Sequence, residues 1–146
     1  MSKRETFSSD VTLHIRDNCL CLHVQRAARV LARRFDDALR PIRLTSGQFS
    51  LMTSLNRPSA PSIGMIAHVL AMDRTTLTAN LKPLERRKLV KITPDKNDKR
   101  NRLVHLTKAG HRLLEDALPI WRETHSAIEK RIAGADRLRA DLKALA

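Results

Sequence analysis

The sequence predicts a mainly α-helical chain that carries one small two-stranded β-wing. Three observations lead there. Residues 18–39 and 108–133 repeat apolar side chains at helical spacing. Two further helical patterns, 62–72 and 73–89, follow each other with only a few residues between them. Apolar, strand-like runs at 89–93 and 102–106 then enclose the charged loop "PDKNDKRN" (94–101).

The first long stretch, "NCLCLHVQRAARVLARRFDDAL", contains no Gly or Pro. Leu20, Val24, Ala27, Leu31, Phe35 and Ala38 fall on one helical face, Asp17 or Asn18 is placed to cap it, and Pro41 follows its end. In "TSGQFSLMTSL" (45–55), Thr45 and Gln48 have capping-box spacing, and Phe49, Met52 and Leu55 make the apolar side. "NRPSAPS" (56–62) is a breaker. Ser62 caps a third helix bearing Ile63, Ile66, Ala67 and Leu70, which Met72 closes.

Asp73 caps the fourth helix, "DRTTLTANLKPLERRKL" (73–89). Leu77, Leu81 and Leu84 form its buried stripe, while Thr75, Ala79, Lys82 and Arg86 point the other way, with Thr78 between. A short helix, a tight turn and a second, Thr-rich helix make a helix-turn-helix pattern. Small hydrogen-bonding groups lead the exposed face and long cations end it. That order suits a helix whose first half enters a major groove and whose far end meets phosphates. Pro83 removes one backbone bond and predicts a mild bend. After the ribbon, Thr107 caps the long fifth helix, with Leu113, Leu114, Ala117, Leu118, Trp121 and Ile128 inward and a kink expected at Pro119. Gly134 breaks it, and Leu138, Leu142 and Leu145 mark a short last helix.

The 146 residues carry 28 basic against 15 acidic side chains, a net charge of +13. A domain this basic is expected to meet a polyanion, nucleic acid before an anionic membrane. The excess is concentrated: residues 74–102 hold ten Lys or Arg against three acids. The N-terminal "MSKRETFSSD" lacks a signal peptide's apolar core, and "IGMIAHVLAM" (63–72) is too short to span a bilayer. A cytoplasmic protein with reduced thiols, no membrane partner and no cofactor is expected. Four unclustered glycines give no phosphate-cradling loop, and neither His-Glu-x-x-His nor Cys-x-x-Cys occurs. No Ser-His-acid set is recognisable, so no enzyme is expected.

Two stretches, "MDRTTLTANLKPLERRKLV" (72–90) and "DKNDKRNRLVHLTKAG" (95–110), resemble the MarR family of bacterial transcription regulators, and the likeness covers roughly residues 18–133. The resemblance implies a winged helix-turn-helix and a homodimer. Its N- and C-terminal helices would interlock, and it would bind double-stranded DNA at a near-palindromic operator. The recognition helices would enter successive major grooves and the wing tips the flanking minor grooves. The domains would be an N-terminal dimerisation helix (1–44), a DNA-binding winged helix-turn-helix (45–107) and C-terminal dimerisation helices (108–146). The family's Asp-x-Arg wing motif falls on Asp98 and Arg100, with the Arg in the minor groove and the Asp holding it. A narrow A·T-rich minor groove attracts such an Arg. Lys96, Lys99 and Arg102 would add salt-sensitive phosphate attraction.

The candidate DNA-contacting set is therefore Arg74, Thr75, Thr76, Thr78, Ala79, Lys82, Arg86, Lys96, Asp98, Lys99, Arg100 and Arg102. Arg74 is read as meeting either a phosphate or a base, Thr76 as partly serving the helix start, and Asn80 as structural. Three positions depart from the family pattern. Ala79 stands where many members carry Arg, Lys88 where Gly is usual, and Lys99 where the first wing Arg is common. Against DNA contact, the bland reading of the wing cations is a solvated face.

Cys19 and Cys21 are candidate redox residues, because one branch of the family senses organic peroxides through an N-terminal Cys held by tyrosines. This chain has no tyrosine, and Cys is commonly a small buried hydrophobe. Cys19 and His23, four apart, could form half of an intersubunit metal site, a spacing common by chance. The family also binds small aromatic acids between its DNA-binding lobe and dimer helices, which makes a small aromatic or oxidant effector an expectation here. The expected function is a sequence-specific, homodimeric repressor released by such an effector. The alternative is a non-specific nucleoid-associated or RNA-binding protein using the same basic surface.

Overall fold

The computed structural model describes residues 4–146. Its described helices are α1 (Ser9–Asn18), α2 (Leu20–Leu39), α3 (Ser46–Ser54), α4 (Ile63–Val69), α5 (Arg74–Arg86), α6 (Lys108–Glu129) and α7 (Ala135–Leu145). Strands β1 (Val90–Pro94) and β2 (Arg102–Leu106) pair antiparallel between α5 and α6, with Val90 opposite Leu106 and Pro94 opposite Arg102. The expected mainly α-helical chain with a two-stranded wing is observed.

The caps read from sequence form as local side chain–backbone bonds. Thr45 accepts from the Gln48 amide at 3.1 Å while Gln48 accepts from the Thr45 amide at 3.1 Å, closing the capping box of α3. Ser62 accepts from the Met65 amide at 3.2 Å, and Thr107 from the Gly110 amide at 3.1 Å. Each satisfies an amide that the first helical turn leaves without a partner.

Several boundaries differ from the sequence reading. Residues 18–39 are not one helix. Cys19 adopts an extended ψ of 111° and separates α2 from α1, which the sequence reading did not foresee. Asn18 caps nothing at the start of α2; its side chain donates back to the His14 carbonyl at 2.8 Å and closes α1. Met72 does not close α4, which ends at Val69; Ala71 turns the chain at φ 49°. Helix α5 stops at Arg86, and Lys88 follows in the left-handed region at φ 58°. β1 runs one residue later than expected, and α7 starts at Ala135, three residues before its first leucine. A 3-10 turn, Arg40–Ile42, contains Pro41 and ends at Arg43, also left-handed at φ 58°.

The core lies within the winged helix-turn-helix. Leu51 and Met52 of α3, Ile66 of α4, Leu77, Leu81 and Leu84 of α5, and Val104 of β2 are buried, and α2 and α6 contribute Leu39 and Ala117. Burying each leucine stabilises the lobe by about 1.5–3 kcal/mol, enough for the α5 stripe to fix which face that helix turns outward. The distal helices are different. No residue of α1 or α7 is buried, and Leu20, Leu138, Leu142 and Leu145 are exposed.

Two ties hold the wing to the helices. An isolated bridge joins Ser62 to Leu103, and the Val104 amide donates to the Pro61 carbonyl at 3.0 Å, so the ribbon is pinned to the start of α4. At its base, the Thr107 amide donates to the Leu89 carbonyl at 3.1 Å.

Candidate nucleic-acid interface

Helix α5 presents the face the sequence predicts. Leu77, Leu81 and Leu84 are fully buried, while Arg74, Thr75, Thr76, Thr78, Ala79, Lys82 and Arg86 are exposed. The helix start is rigidly made. Asp73 accepts from the Thr76 amide at 2.8 Å, and the Thr76 hydroxyl donates to its other oxygen at 2.7 Å. These two bonds, the hydroxyl first, hold the Asp73 carboxyl below its ordinary pKa. The Thr76 proton is thereby committed to the cap. Thr78 donates to the Arg74 carbonyl at 2.8 Å and retains acceptor capacity outward. Asn80, read as structural, is exposed, with its amide directed to the Met72 sulfur at 3.6 Å.

The wing loop is built on its two aspartates. Asp95 accepts from the Asn97 amide at 2.9 Å, and Asp98 from the Arg100 amide at 3.0 Å. The Asn101 amide donates to the Asp98 carbonyl at 3.0 Å. Asp98 thus holds Arg100 by its backbone, and among the described residues no ion pair joins their side chains. Lys96, Lys99, Arg100 and Arg102 are all exposed.

Helix and wing share one electrostatic property. The ion pairs among the described residues join Arg16–Asp17, Arg40–Asp37, His125–Glu129, Arg137–Asp141, Arg139–Glu129 and Arg139–Asp136, and none involves a cation from 74–102. The basic excess of this segment therefore faces solvent unneutralised by neighbours. Arg87, missed by sequence reasoning, is the structural exception. Its guanidinium donates to the Arg43 carbonyl at 2.7 Å, across 44 residues, and ties the end of α5 to the left-handed turn after α2.

Behind this surface lies a mostly apolar cleft of about 480 Å³ lined by Phe49, Ser50, Thr53, Ser54, Val69, Leu70, Leu118 and Trp121. The Thr53 and Ser54 hydroxyls donate to the Phe49 and Leu51 carbonyls. Trp121 is half-buried and stacks on His125, with ring centroids 4.6 Å apart. Cys19 is half-buried at the α1–α2 break, Cys21 is exposed, and both are free thiols. Nδ1 of the His23 ring lies 2.8 Å from the Cys19 carbonyl.

The MarR family model matches residues 44–101, the span from the start of the lobe through the wing loop. The transcriptional regulator MosR of M. tuberculosis, solved in complex with DNA, superposes with a TM-score of 0.81 at 33% identity, covering 88% of this chain and 93% of that one. This chain belongs to the MarR family. The transcriptional activatory protein BadR of Rhodopseudomonas palustris is 32% identical over 67% of this chain and 58% of its own length. The transcriptional repressor NicR of Pseudomonas putida is 32% identical over 55% of this chain and 51% of its own. The chain thus spans little more than half the length of these curated MarR relatives. Among the described residues no helix is long and apolar enough to cross a membrane.

Proposed function

We propose that this MarR-family chain is a homodimeric, sequence-specific DNA-binding repressor acting in the cytoplasm. The single observation that carries the reading is the joint exposure of the α5 outer face and the wing cations, all without ion-pair partners among the described residues. In this reading Thr75, Thr78 and Ala79 face base edges, with the Ala79 methyl suited to a thymine methyl. Thr76 braces the helix start, Lys82 and Arg86 meet phosphates, and Arg100 enters the minor groove with Asp98 setting its backbone. Lys96, Lys99 and Arg102 supply attraction that weakens with salt.

Dimerisation through segments 1–44 and 108–146 is supported by the apolar side chains that α1, α2 and α7 leave exposed, Leu20, Leu138, Leu142 and Leu145 among them. One chain alone leaves them in water. A second copy covers them and sets the spacing of two recognition helices about one DNA turn apart. Repression is supported by the likeness to NicR; BadR, described as activatory, is the opposing case. Release is assigned to a small aromatic molecule in the Phe49–Leu70–Trp121 cleft, which lies between the lobe and α6. A ligand preferring one spacing of the helices shifts operator affinity by its differential binding. Oxidation at Cys19 or Cys21 has less support, since among the described residues the one side-chain hydrogen bond to either thiol is that from Gln25, 3.4 Å from the Cys21 sulfur.

Footprinting on the protein's own upstream DNA tests the reading. Two protected patches about one helical turn apart are expected. A single continuous protection on every fragment points to the non-specific alternative.

A further inference from the structure

Gly64, the second residue of α4, has a neighbour that the sequence did not associate with it. A Cβ built on Gly64 would lie 2.7 Å from the terminal Nη2 of Arg74 and 3.5 Å from its Cζ. Arg74, the first residue of α5, therefore folds its side chain back across the helix-turn-helix turn and lays its guanidinium over the bare backbone of Gly64. Nothing neutralises it there. Among the described residues Arg74 has no ion pair, and the adjacent Asp73 carboxylate is committed to the Thr76 amide and hydroxyl. Arg74 also shares a surface cleft with Ser62, Met65, His68 and the wing-loop residue Asn101. Its charge thus sits in the gap between α4 and the wing loop, away from the outer face that Thr75 and Ala79 present.

We infer that Gly64 is a positioning residue for DNA binding: by lacking a side chain it seats Arg74 as a phosphate clamp rather than a base reader. The inference rests on the DNA-binding reading above. A guanidinium directed along the groove face would discriminate bases; one drawn back over α4 meets the sugar-phosphate backbone beside the groove and reads no sequence. Gly64 and Arg74 lie ten positions apart in the chain, so no local pattern reveals the pair.

The pair also separates binding from folding. The group an added Cβ would displace is the free end of a flexible side chain, and Ala favours a helix over Gly. Gly64→Ala should move Arg74 without loosening the lobe.

The experiment measures affinity for operator and scrambled DNA across a salt series, with thermal midpoints, for the full-length protein, Gly64→Ala, Arg74→Ala and the double variant. The expected result is a several-fold loss on both DNAs for each single variant. The log–log salt slope should fall by about one, Gly64→Ala should keep an undiminished midpoint, and the double variant should be no weaker than Arg74→Ala. Wild-type affinity in Gly64→Ala beside a weakened Arg74→Ala overturns the pairing. A Gly64→Ala loss that persists when position 74 is already Ala also overturns it, because the effect then runs through the fold. An Arg74→Ala loss confined to the operator makes Arg74 a base reader. No DNA binding by the unsubstituted protein overturns the regulator reading itself and this inference with it.

Discussion

The Thr107 hydroxyl donates to the Lys88 carbonyl at 2.7 Å, with the Leu89 carbonyl also within reach at 3.1 Å. This one side chain closes the left-handed turn after α5, and its oxygen accepts from the Gly110 amide to start α6. The end of α5, the base of the wing and the first turn of the long C-terminal helix meet there. These hydrogen bonds join the start of α6 to the end of α5 directly.

Gly110 makes that junction possible. A Cβ there would lie 2.2 Å from the Leu89 carbonyl oxygen and 3.1 Å from Leu106 Cδ2, so backbone must move to admit it. Gly110→Ala is expected to cost roughly 3 kcal/mol of stability by overpacking, read as a lowered midpoint in urea unfolding. An unchanged midpoint would mean that the start of α6 can lift off the Leu89 carbonyl freely.

Lys88 holds φ 58°, a conformation costing an L-residue about 1–2 kcal/mol. Lys88→Gly removes that strain but makes the unfolded chain more flexible, so a net gain of roughly 0.5–1 kcal/mol is expected. Thermal unfolding checks it. A fall in midpoint would show that the Lys88 stem contributes packing worth more than the strain.

Arg100→Ala should weaken operator binding by about 1–3 kcal/mol and relax preference at the flanking A·T positions. Asp98→Ala should also weaken it, by releasing the Arg100 amide from its 3.0 Å bond and loosening the loop. Competition binding with A·T or G·C flanks separates the effects. Equal affinities for all three proteins would remove the wing from the interface.

The Asp73 cap gives a signed pH response. Its carboxyl is held below the ordinary value of 3.8, chiefly by the Thr76 hydroxyl and then by the Thr76 amide. A depressed carboxylate contributes stability that is fully present above the ordinary value and is lost as pH falls through the folded one. Asp73→Asn should therefore flatten the loss of stability below about pH 4, followed by circular dichroism during acid titration. Identical acid transitions in the two proteins would contradict the cap assignment.

Local chemistry was legible in the sequence, and distant chemistry was not. Thr45, Ser62, Asp73 and Thr107 each bond an amide three residues on, so their spacing reveals the caps. The α5 stripe of Leu77, Leu81 and Leu84 is legible for the same reason. The break at Cys19 carries no Gly or Pro; the bond from Asn18 to the His14 carbonyl marks it only in the folded chain. Left-handed turns at Arg43 and Ala71 use residues that sequence rules assign elsewhere, whereas the one at Lys88 stands where the family pattern has Gly. The Arg87–Arg43 tie, the Gly110–Leu89 approach and the Gly64–Arg74 seat all depend on tertiary proximity. The exposed face of α5 could be read in advance, but which of its cations are held by other parts of the protein could not.

The most direct test compares affinity for the protein's own upstream DNA with affinity for scrambled DNA of equal length, at low and at roughly physiological salt. A sequence-specific regulator predicts a preference of about 10³ or more that survives the higher salt. Equal binding to both DNAs, collapsing together as salt rises, would contradict the account and leave a basic winged helix that recognises only charge.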